Sequence, residues 1–456
     1  METSYNYDDF LNQKRQLGTF DGFSPVFLPS FLYDFQDSLV EWAIKKGKAA
    51  IFADCGLGKT PIQLVWAENI VRKTNKKVLI LTPLAVSHQT IREGTKFGIE
   101  CLRSDNGKPV GKITVTNYER LHLFDPNDYI GIVADESSIL KNFDGTRKKL
   151  ITEFMKKYPY RLLCTATAAP NDYIELGTSS EALGELGYMD MLNRFFKNDN
   201  NTCAVNRFYG SLAKWRFKNH AKKPFWQWVS GWARAIRKPS DMGFNDRNFT
   251  LPPLIERKNL VKDIKPLSRG FFPGPSIGLK EQRDELKRTL VDRCEKAAEL
   301  VNNDKIALVW CNLNAEGDLL EDIIPGSVQV SGSDSDDKKE RILNLFSDGN
   351  IRVLITKPRI GGFGLNWQHC SHMVFFPSHS YEQYYQGVRR CWRFGQIEPV
   401  TVDIVTTDGD NQIMESLQRK SKAAEDMFTD LIRYMNTSIQ LTHKEFNKAM
   451  ETPEWL

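Results

Sequence analysis

The sequence predicts an α/β protein with mostly parallel sheets, arranged as two successive series of strands and helices. Short apolar runs alternate with longer segments of helical periodicity, which is the pattern of βαβ units. Polar clusters follow several of these runs directly, as they do where open α/β sheets bind ligands. A segment rich in proline and glycine separates the two series, so we expect a linker over residues 251–280.

The first series is organised around the segment Ala53-Asp-Cys-Gly-Leu-Gly-Lys-Thr60. An apolar run over 49–53 predicts a buried strand before it, and the spacing over 61–71 predicts a helix after it, with Pro61 in the first turn. A strand, a glycine-rich turn, Lys-Thr and a helix form the context that a phosphate-binding loop requires. The first glycine of the usual pattern is Ala53 here.

Each position of this loop has an expected role in nucleotide binding. The backbone N–H groups around Gly56, Leu57 and Gly58 are expected to converge on phosphate oxygens beside a helix N-terminus. Lys59 is expected to reach the terminal phosphates, and the Thr60 hydroxyl to hold Mg²⁺. The alternative, a chance glycine-rich turn, does not explain the flanking strand and helix.

The composition is that of an ordinary globular protein. The 456 residues carry a net charge of +5 and are 41% hydrophobic, and their number allows about three domains. No apolar run approaches the ~18 residues of a membrane span, and the acidic start is not a secretory signal. The eight cysteines form no C-x-x-C pair, and His369, Cys370 and His372 lack a second ligand pair, so neither zinc nor a disulfide framework is expected. We expect a cytoplasmic protein, in the host cytoplasm if phage-encoded.

Positive charge is concentrated in one segment. Met191–Arg247 contains 12 Lys and Arg against 3 Asp and Glu, so the rest of the chain is net acidic. The same segment carries four tryptophans, Trp215, Trp226, Trp228 and Trp232. Basic residues interleaved with aromatics suit contact with phosphates and exposed bases. The alternative is an insertion whose tryptophans pack inward. A partly buried ridge with a basic outer face would be compatible with both interpretations.

The elements follow in order along the chain. A helix is predicted over 34–45. Strands are predicted in the first series over 78–82, 113–116, 131–134 and 161–164, and in the second over 306–310, 327–330, 352–356, 373–376 and 401–405. An amphipathic segment over 280–302 opens the second series, and a helical stretch runs from 411 to about 435.

These elements suggest six regions. They are an N-terminal arm (1–28), a nucleotide-binding domain (29–190), a basic aromatic-rich insertion (191–250), a linker (251–280), a second α/β domain (281–410) and a helical tail (411–456).

Two polar clusters at predicted strand ends suit nucleotide chemistry. Asp135-Glu-Ser-Ser138 follows one strand, and we expect Asp135 to hold Mg²⁺ and Glu136 to orient or deprotonate the attacking water. Thr165-Ala-Thr167 follows another strand, and its two hydroxyls are expected to couple the nucleotide to other ligands. The alternative for the acidic cluster is a solvated loop, and the alternative for the threonine cluster is a simple turn.

The second series carries an arginine-rich cluster, Gln386-Gly-Val-Arg-Arg-Cys-Trp-Arg-Phe-Gly-Gln396. Arg390 and Arg393 are three residues apart, which places them on one face of a helix. Guanidinium groups suit the charge that develops on a transferred phosphoryl group. Gly361-Gly-Phe-Gly-Leu-Asn366 lies upstream, which argues against a merely solvated basic face.

Together these segments resemble the ordered motifs of superfamily 2 helicases. The motifs are Ala53 to Thr60, Leu81-Thr-Pro83, Asp135 to Ser138 followed by Leu140-Lys-Asn142, Thr165 to Thr167, Gly361 to Asn366 and Gln386 to Gln396. The Asp-x-Gly-Leu-Gly-Lys-Thr, Gly-Gly-x-Gly-Leu-Asn and Arg-x-x-Arg-x-Gly-Gln forms are similar to the Swi/Snf branch. The resemblance covers roughly residues 30 to 430. Ser138 and Thr165-Ala-Thr-Ala-Ala-Pro170 depart from that branch.

The resemblance implies two RecA-like domains with ATP in the cleft between them. It implies that Gln36 reads adenine and that Gln386 joins the arginines in catalysis. It assigns a coupling role to Thr165, Thr167, Gly362 and Gly364. It places Thr82, Thr116 and Thr356 near a DNA backbone, and we add Lys214, Arg216, Lys218, Lys222, Lys223 and Trp228 of the basic segment as DNA contacts.

We therefore predict an ATP-dependent DNA helicase or translocase that uses ATP and Mg²⁺. Its expected partner is duplex, forked or junction DNA, and replication or recombination proteins are further expected partners. We expect a monomer that does not associate with a membrane. The short insertion favours a compact phage or bacterial motor over a chromatin remodeller. The alternatives are an RNA helicase and an ATP-dependent clamp that serves a partner nuclease.

Overall fold

The structure is a computed structural model that describes the backbone of residues 20–141, 145–169, 172–198, 215–261, 285–362, 364–407 and 411–448. Side chains are described in these ranges except at 85, 147, 411–412 and 436–448. The chain divides into two compact units, the first formed by Met1–Asp246 with Ala424–Leu456 and the second by Arg247–Ala423. Each unit contains its own parallel sheet.

The first unit is built on a seven-stranded sheet whose neighbouring strands are all parallel. Its strands are β1 (Lys48–Ala53), β2 (Lys77–Thr82), β3 (Leu102–Arg103), β4 (Ile113–Asn117), β5 (Tyr129–Asp135), β6 (Tyr160–Thr165) and β9 (Ala233–Ile236). They lie in the order β3-β4-β2-β5-β6-β1-β9. After its first residue, each of β1, β2 and β6 is buried on both faces, which explains why these strands are continuous apolar runs in the sequence.

Helices and a small hairpin complete the first unit. The helices are α1 (Asp34–Lys46), α2 (Lys59–Thr74), α3 (Ser87–Phe97), α4 (Thr146–Met155), α5 (Leu176–Leu183), α6 (Tyr188–Phe195) and α7 (Lys222–Trp232). The hairpin pairs β7 (Phe196–Asn198) with β8 (Trp215–Phe217) in antiparallel register.

The second unit is built on a six-stranded parallel sheet. Its strands are β10 (Leu254–Val261), β11 (Ala307–Trp310), β12 (Ser327–Val330), β13 (Val353–Thr356), β14 (His372–Phe375) and β15 (Val400–Thr407), in the order β10-β15-β14-β11-β13-β12. Its helices are α8 (Leu290–Leu300), α9 (Asn314–Ile323), α10 (Asp336–Ser347), α11 (Pro358–Gly361) and α12 (Tyr381–Val388).

A long C-terminal helix, α13 (Asn411–Lys448), completes the fold. Its residues Met427, Phe428, Leu431 and Ile432 are buried in the hydrophobic core of the first unit. The two sheets and this helix confirm the predicted α/β class, with two parallel-sheet units and a helical C-terminal segment. Every predicted strand of the two series is present, with ends that differ by at most two residues.

Three predicted boundaries differ from the structure. The basic segment is not a separate insertion, because β9 is the edge strand beside β1 and α7 packs into the core of the first unit. The predicted linker 251–280 begins with strand β10, which pairs with β15 along its whole length. The predicted tail is not a separate region either, because α13 adds residues to the first core. Each of these segments is defined by a long-range contact that its local sequence does not show.

The predicted N-terminal arm is only partly described. Residues 1–19 lie outside the described residues. Further on, the Asn69 Oδ1 accepts from the backbone N–H groups of Val26 and Phe27 at 2.8 and 2.9 Å, so this part of the arm lies against α2. In the part of the chain that the structure describes, no helix has both the length and the apolar character to cross a membrane.

Candidate nucleotide-binding site

The phosphate loop connects β1 to α2, as the sequence predicts. Gly56 and Gly58 have φ angles of 89° and 76°, in the left-handed region that glycine adopts without strain. A Cβ at Gly58 would also lie 2.3 Å from the Gln36 Nε2. The left-handed backbone conformation therefore favours glycine at position 58, and a side chain there would displace the Gln36 amide.

The loop presents Lys59 and Thr60 at the start of α2, and both side chains are partly exposed. The Lys59 Nζ donates to the Ala53 carbonyl at 3.1 Å, which places the ammonium group over the loop. The Leu57 side chain is fully buried, so only its backbone can contact a ligand, and its role in nucleotide binding stays a prediction. The helix N-terminus and the ammonium group together favour an anion at this loop.

Gln36 lies against the phosphate loop from α1. Its Nε2 donates to the Leu57 carbonyl at 2.9 Å, and its Oε1 accepts from the Tyr33 N–H at 3.0 Å. The side chain is therefore buried and held in one orientation. Its role as the adenine reader stays a prediction.

Asp135 is the last residue of β5, at the carboxyl edge of the sheet. The Gln63 Nε2 of α2 donates to the Asp135 Oδ1 at 2.6 Å, and the Tyr118 hydroxyl donates to the Asp135 carbonyl at 2.5 Å. Burial, together with the charge of Glu136, raises the pKa of Asp135 to about 7, whereas Gln63 and Lys59 oppose the rise. A cation at this carboxylate would favour its charged form.

Glu136 has an unusual backbone conformation, with a φ of 50°. A left-handed conformation is uncommon for a residue with a side chain and is often found at functional sites. The Thr165 hydroxyl donates to the Glu136 Oε2 at 3.4 Å and accepts from the Thr167 N–H at 3.1 Å. The structure thus brings Thr165 next to the predicted water-activating carboxylate, and Thr167 contacts Thr165 through its backbone N–H.

Gln63 and Tyr118 were not among the residues predicted from the sequence. Gln63 is one helical turn after Lys59, and this i,i+4 spacing could have indicated that both side chains leave the same face of α2. Tyr118 directly follows β4, and no local pattern connects it to Asp135. Its contact becomes visible only when β4 and β5 lie on either side of β2 in one sheet.

In the second unit, Arg390 and Arg393 converge on one carbonyl. Helix α12 ends at Val388, so the two arginines lie in the following turn and not on a helical face as predicted. Each guanidinium nevertheless donates from Nη1 to the Leu365 carbonyl, at 3.2 Å in both cases. Arg390 is buried, whereas Arg393 is partly exposed.

Gln386 lies four residues before Arg390, and Gly362 and Gly364 lie just before Leu365, whose carbonyl both arginines contact. Gln386 is buried on α12, and its carbonyl accepts from the Arg390 Nε at 2.9 Å. Gly364 has a φ of 68°, and a Cβ at Gly362 would lie 2.1 Å from the Pro358 carbonyl oxygen. Both positions therefore require glycine, while their coupling role stays a prediction.

The three threonines predicted to contact DNA are fully buried. The Thr82 hydroxyl donates to the Thr116 carbonyl at 3.4 Å, and the Thr356 hydroxyl donates to the Val330 carbonyl at 3.0 Å. The hydroxyls of Thr82 and Thr356 thus connect adjacent strands, and that of Thr116 is also enclosed. In this conformation none of the three presents its side chain to a DNA backbone.

The basic segment separates its aromatic and its charged side chains. Trp228 is 5% exposed, and its ring lies 5.4 Å from Phe195 and 5.5 Å from Trp232, so the expectation of an exposed stacking surface is wrong here. The charged side chains lie outside this cluster. Arg216, Lys222 and Lys223 are exposed and Lys218 is partly exposed, whereas Lys214 lies outside the described residues. We call Arg216, Lys218, Lys222 and Lys223 the basic surface.

Known proteins resemble this chain in sequence. Residues 289–395 match the family described as helicase conserved C-terminal domain. The chain is 24% identical over 424 residues to the uncharacterized ATP-dependent helicase YqhH of Bacillus subtilis (strain 168), which covers 82% of this chain and 74% of that protein. It is 22% identical over 453 residues to the DNA annealing helicase and endonuclease ZRANB3 of Mus musculus, over 88% of this chain and 41% of that protein.

A solved structure of the Sulfolobus solfataricus SWI2/SNF2 ATPase core in complex with dsDNA is 17% identical, with a TM-score of 0.41, over 94% of this chain and 99% of that one. The ordered motifs, the two parallel sheets that carry them and the match of residues 289–395 make the chain similar to superfamily 2 helicases of the Swi/Snf-like type.

Proposed function

We propose that the protein hydrolyses ATP and uses the energy to move along DNA. The observation that carries this proposal is the grouping in the first unit of a phosphate loop, two buried carboxylates and a threonine pair. Lys59 acts electrostatically on Asp135, and Thr165 contacts Glu136. A phosphate-binding cation, a metal-binding carboxylate and a second carboxylate for the attacking water are the groups that nucleotide hydrolysis requires.

The oxygen donors of this site fit Mg²⁺. Magnesium prefers carboxylate and hydroxyl oxygens together with phosphates and water. Burial disfavours the charged form of Asp135, and a divalent cation would reverse that effect. Asp135 and Thr60 would hold the ion, which supplies charge stabilisation on the phosphate oxygens.

The chain's own residues would perform the remaining steps. Lys59 binds and orients the terminal phosphates through its ammonium group, and Glu136 orients the water and accepts its proton. Arg393 and Arg390 supply positive charge to the phosphoryl group in the transition state. Thr165 and Thr167 transmit the state of Glu136 to the rest of the first unit.

DNA is the proposed track. ZRANB3 is named a DNA annealing helicase, and the basic surface of the first unit provides cations outside a rigid aromatic cluster. Phosphate contacts from such a surface bind nucleic acid without sequence preference. Fork or junction remodelling in replication, recombination or repair is the proposed setting.

Phosphate release with and without DNA tests the proposal. We expect turnover that duplex DNA stimulates and that RNA of the same length does not. Lys59→Ala should abolish turnover and leave DNA binding largely intact, because Lys59 lies at the phosphate loop. A wild-type protein that binds ATP without releasing phosphate would show that the chain is a nucleotide-dependent clamp instead.

The mechanical output requires separate measurements. Displacement of a third strand from a triplex reports translocation, strand separation at a fork reports unwinding, and movement of a four-way junction reports branch migration. If the protein hydrolysed ATP in the presence of DNA but showed no activity in any of the three assays, the proposal that it moves along DNA would be contradicted.

A further inference from the structure

We propose that Gln63 and Tyr118 are positioning residues that set Asp135 and Glu136 in the geometry required for hydrolysis. This inference rests on the proposed ATPase function and adds two residues to its machinery. Gln63 acts on the side chain of Asp135, and Tyr118 acts on the backbone between the two acidic residues.

Gln63 holds the carboxylate of Asp135 from the helix that also carries Lys59. It is 1% exposed, and its Nε2 lies 2.6 Å from the Asp135 Oδ1. A carboxylate can only accept, so the amide must present its nitrogen to Asp135. The amide is neutral and therefore restricts the rotamer of Asp135 while leaving its negative charge available for a cation.

The other end of the Gln63 amide supports this role. Its Oε1 is buried and has no hydrogen-bond partner among the described residues. A buried polar atom without a partner is unfavourable, so a side chain selected only for packing would gain from an apolar replacement. The short contact with Asp135 is an interaction that a glutamine makes here and that an apolar side chain cannot make.

Tyr118 holds the peptide between Asp135 and Glu136. Its ring is 3% exposed, and its hydroxyl donates to the Asp135 carbonyl at 2.5 Å. The next residue, Glu136, has the left-handed φ of 50°, a conformation that persists only where neighbouring groups enforce it. By fixing this carbonyl, Tyr118 holds Glu136 in the orientation in which its carboxylate contacts Thr165.

The test uses two nearly isosteric variants of the full chain and one matched control. Gln63→Met removes the amide, and Tyr118→Phe removes only the hydroxyl. Tyr158→Phe is the control, because Tyr158 is a buried tyrosine of the same unit whose hydroxyl has no hydrogen-bond partner among the described residues. Thermal unfolding of all three variants reports any loss of folding, and Gln63→Asn, whose amide is too short to reach Asp135, replaces Gln63→Met if that variant fails to fold.

For Gln63→Met we expect a higher Mg²⁺ requirement. The Mg²⁺ concentration that half-saturates binding of a fluorescent ATP analogue should rise about 10-fold or more, and kcat should fall about 10–100-fold, the usual effect of losing a group that orients a metal ligand. For Tyr118→Phe, kcat should fall about 10-fold with an unchanged KM and an unchanged Mg²⁺ requirement, because the hydroxyl acts on Glu136 and not on the metal ligand.

The outcomes separate this inference from the proposed function. A folded Gln63→Met or Tyr118→Phe protein with wild-type kcat and wild-type Mg²⁺ dependence would overturn the positioning role while the ATPase proposal stands. An equal fall in kcat for Tyr158→Phe would also overturn it. A wild-type protein without ATP hydrolysis would overturn the proposed function, and the Mg²⁺ titration of analogue binding would still decide whether Gln63 orients Asp135.

Discussion

The Thr165 hydroxyl lies 3.4 Å from the Glu136 Oε2 and is the side-chain contact that joins β6 to the predicted water-activating carboxylate. The Thr165 hydroxyl oxygen also accepts from the Thr167 N–H at 3.1 Å. One hydroxyl is therefore hydrogen-bonded both to the Glu136 side chain and to the backbone of the segment after β6. This arrangement is suited to couple hydrolysis to movement of that segment.

Thr165→Val should weaken this coupling. The substitution keeps the branched shape and removes the hydrogen bond, and hydrogen bonds to charged groups contribute about 1.5–3 kcal/mol. We expect DNA-stimulated ATP turnover to fall about 10-fold or more, with little change in ATP affinity. Thr165→Ser retains the hydroxyl and is the control. Equal turnover in the valine and serine variants would show that this contact is not used.

Arg393→Ala should lower ATP turnover by about 10³-fold or more, the usual effect of removing an arginine finger. ATP affinity should fall much less, because the guanidinium acts on charge that develops in the transition state. Single-turnover phosphate release and equilibrium binding of an ATP analogue measure the two effects. If binding and turnover fell together, Arg393 would be a ground-state ligand.

Arg390→Ala should behave differently from Arg393→Ala. Arg390 is 2% exposed and donates to the Gln386 and Leu365 carbonyls, so its removal takes a buried donor from the Gln386 carbonyl, whereas the Leu365 carbonyl still accepts from Arg393. The loss of this buried donor is expected to destabilise the folded state by about 1–3 kcal/mol. We expect a lower Tm together with lower turnover, whereas Arg393→Ala should change the Tm little. Equal melting temperatures for both variants would contradict this distinction.

Replacing the four residues of the basic surface with glutamine should reduce the salt dependence of DNA binding. The slope of log K against log salt falls by about 0.9 for each phosphate contact that is lost on duplex DNA. DNA-independent ATP turnover should not change. The control replaces Lys76, Lys149 and Lys157, which are exposed elsewhere on the first unit. An unchanged slope in the folded variant would assign the basic surface a structural role.

Lys222 requires attention in that variant because its Nζ lies 2.8 Å from the Asp430 Oδ2 of α13. The Lys222 side chain is 55% exposed, and surface ion pairs contribute about 0–1 kcal/mol to stability. We therefore expect only a small change in Tm. A Lys222→Gln single variant measures this contribution separately from the loss of DNA contacts.

Trp228→Ala should destabilise the first unit and should not act through DNA stacking. The ring packs against Phe195, Phe225 and Trp232, and truncating a buried tryptophan costs about 3–5 kcal/mol. Chemical denaturation measures this loss, and Gln227→Ala on the exposed side of α7 is the control. Unchanged stability with weaker single-strand binding would show instead that Trp228 contacts bases.

Much of the fold follows from local sequence. Buried parallel strands are short apolar runs, and the helices between them have the expected periodicity, so every predicted strand of both series is present. The strands that were missed lack such a run. Strand β9 includes Arg234 within only four residues, and β10 is mostly exposed and contains Glu256, Arg257 and Lys258. Both lie at an edge of their sheet.

The sequence by itself determined the types and the order of the site residues, because a phosphate loop and a strand-end carboxylate pair are defined by spacing within a few positions. Lys59, Asp135 and Glu136 were identified in this way. The tertiary structure decided which residues surround them. Gln63 reaches Asp135 across 72 positions of the chain, and Tyr118 reaches it across 17. It also decided that Trp228 is buried while its basic neighbours are exposed, because burial depends on which surfaces meet when the chain folds and not on composition.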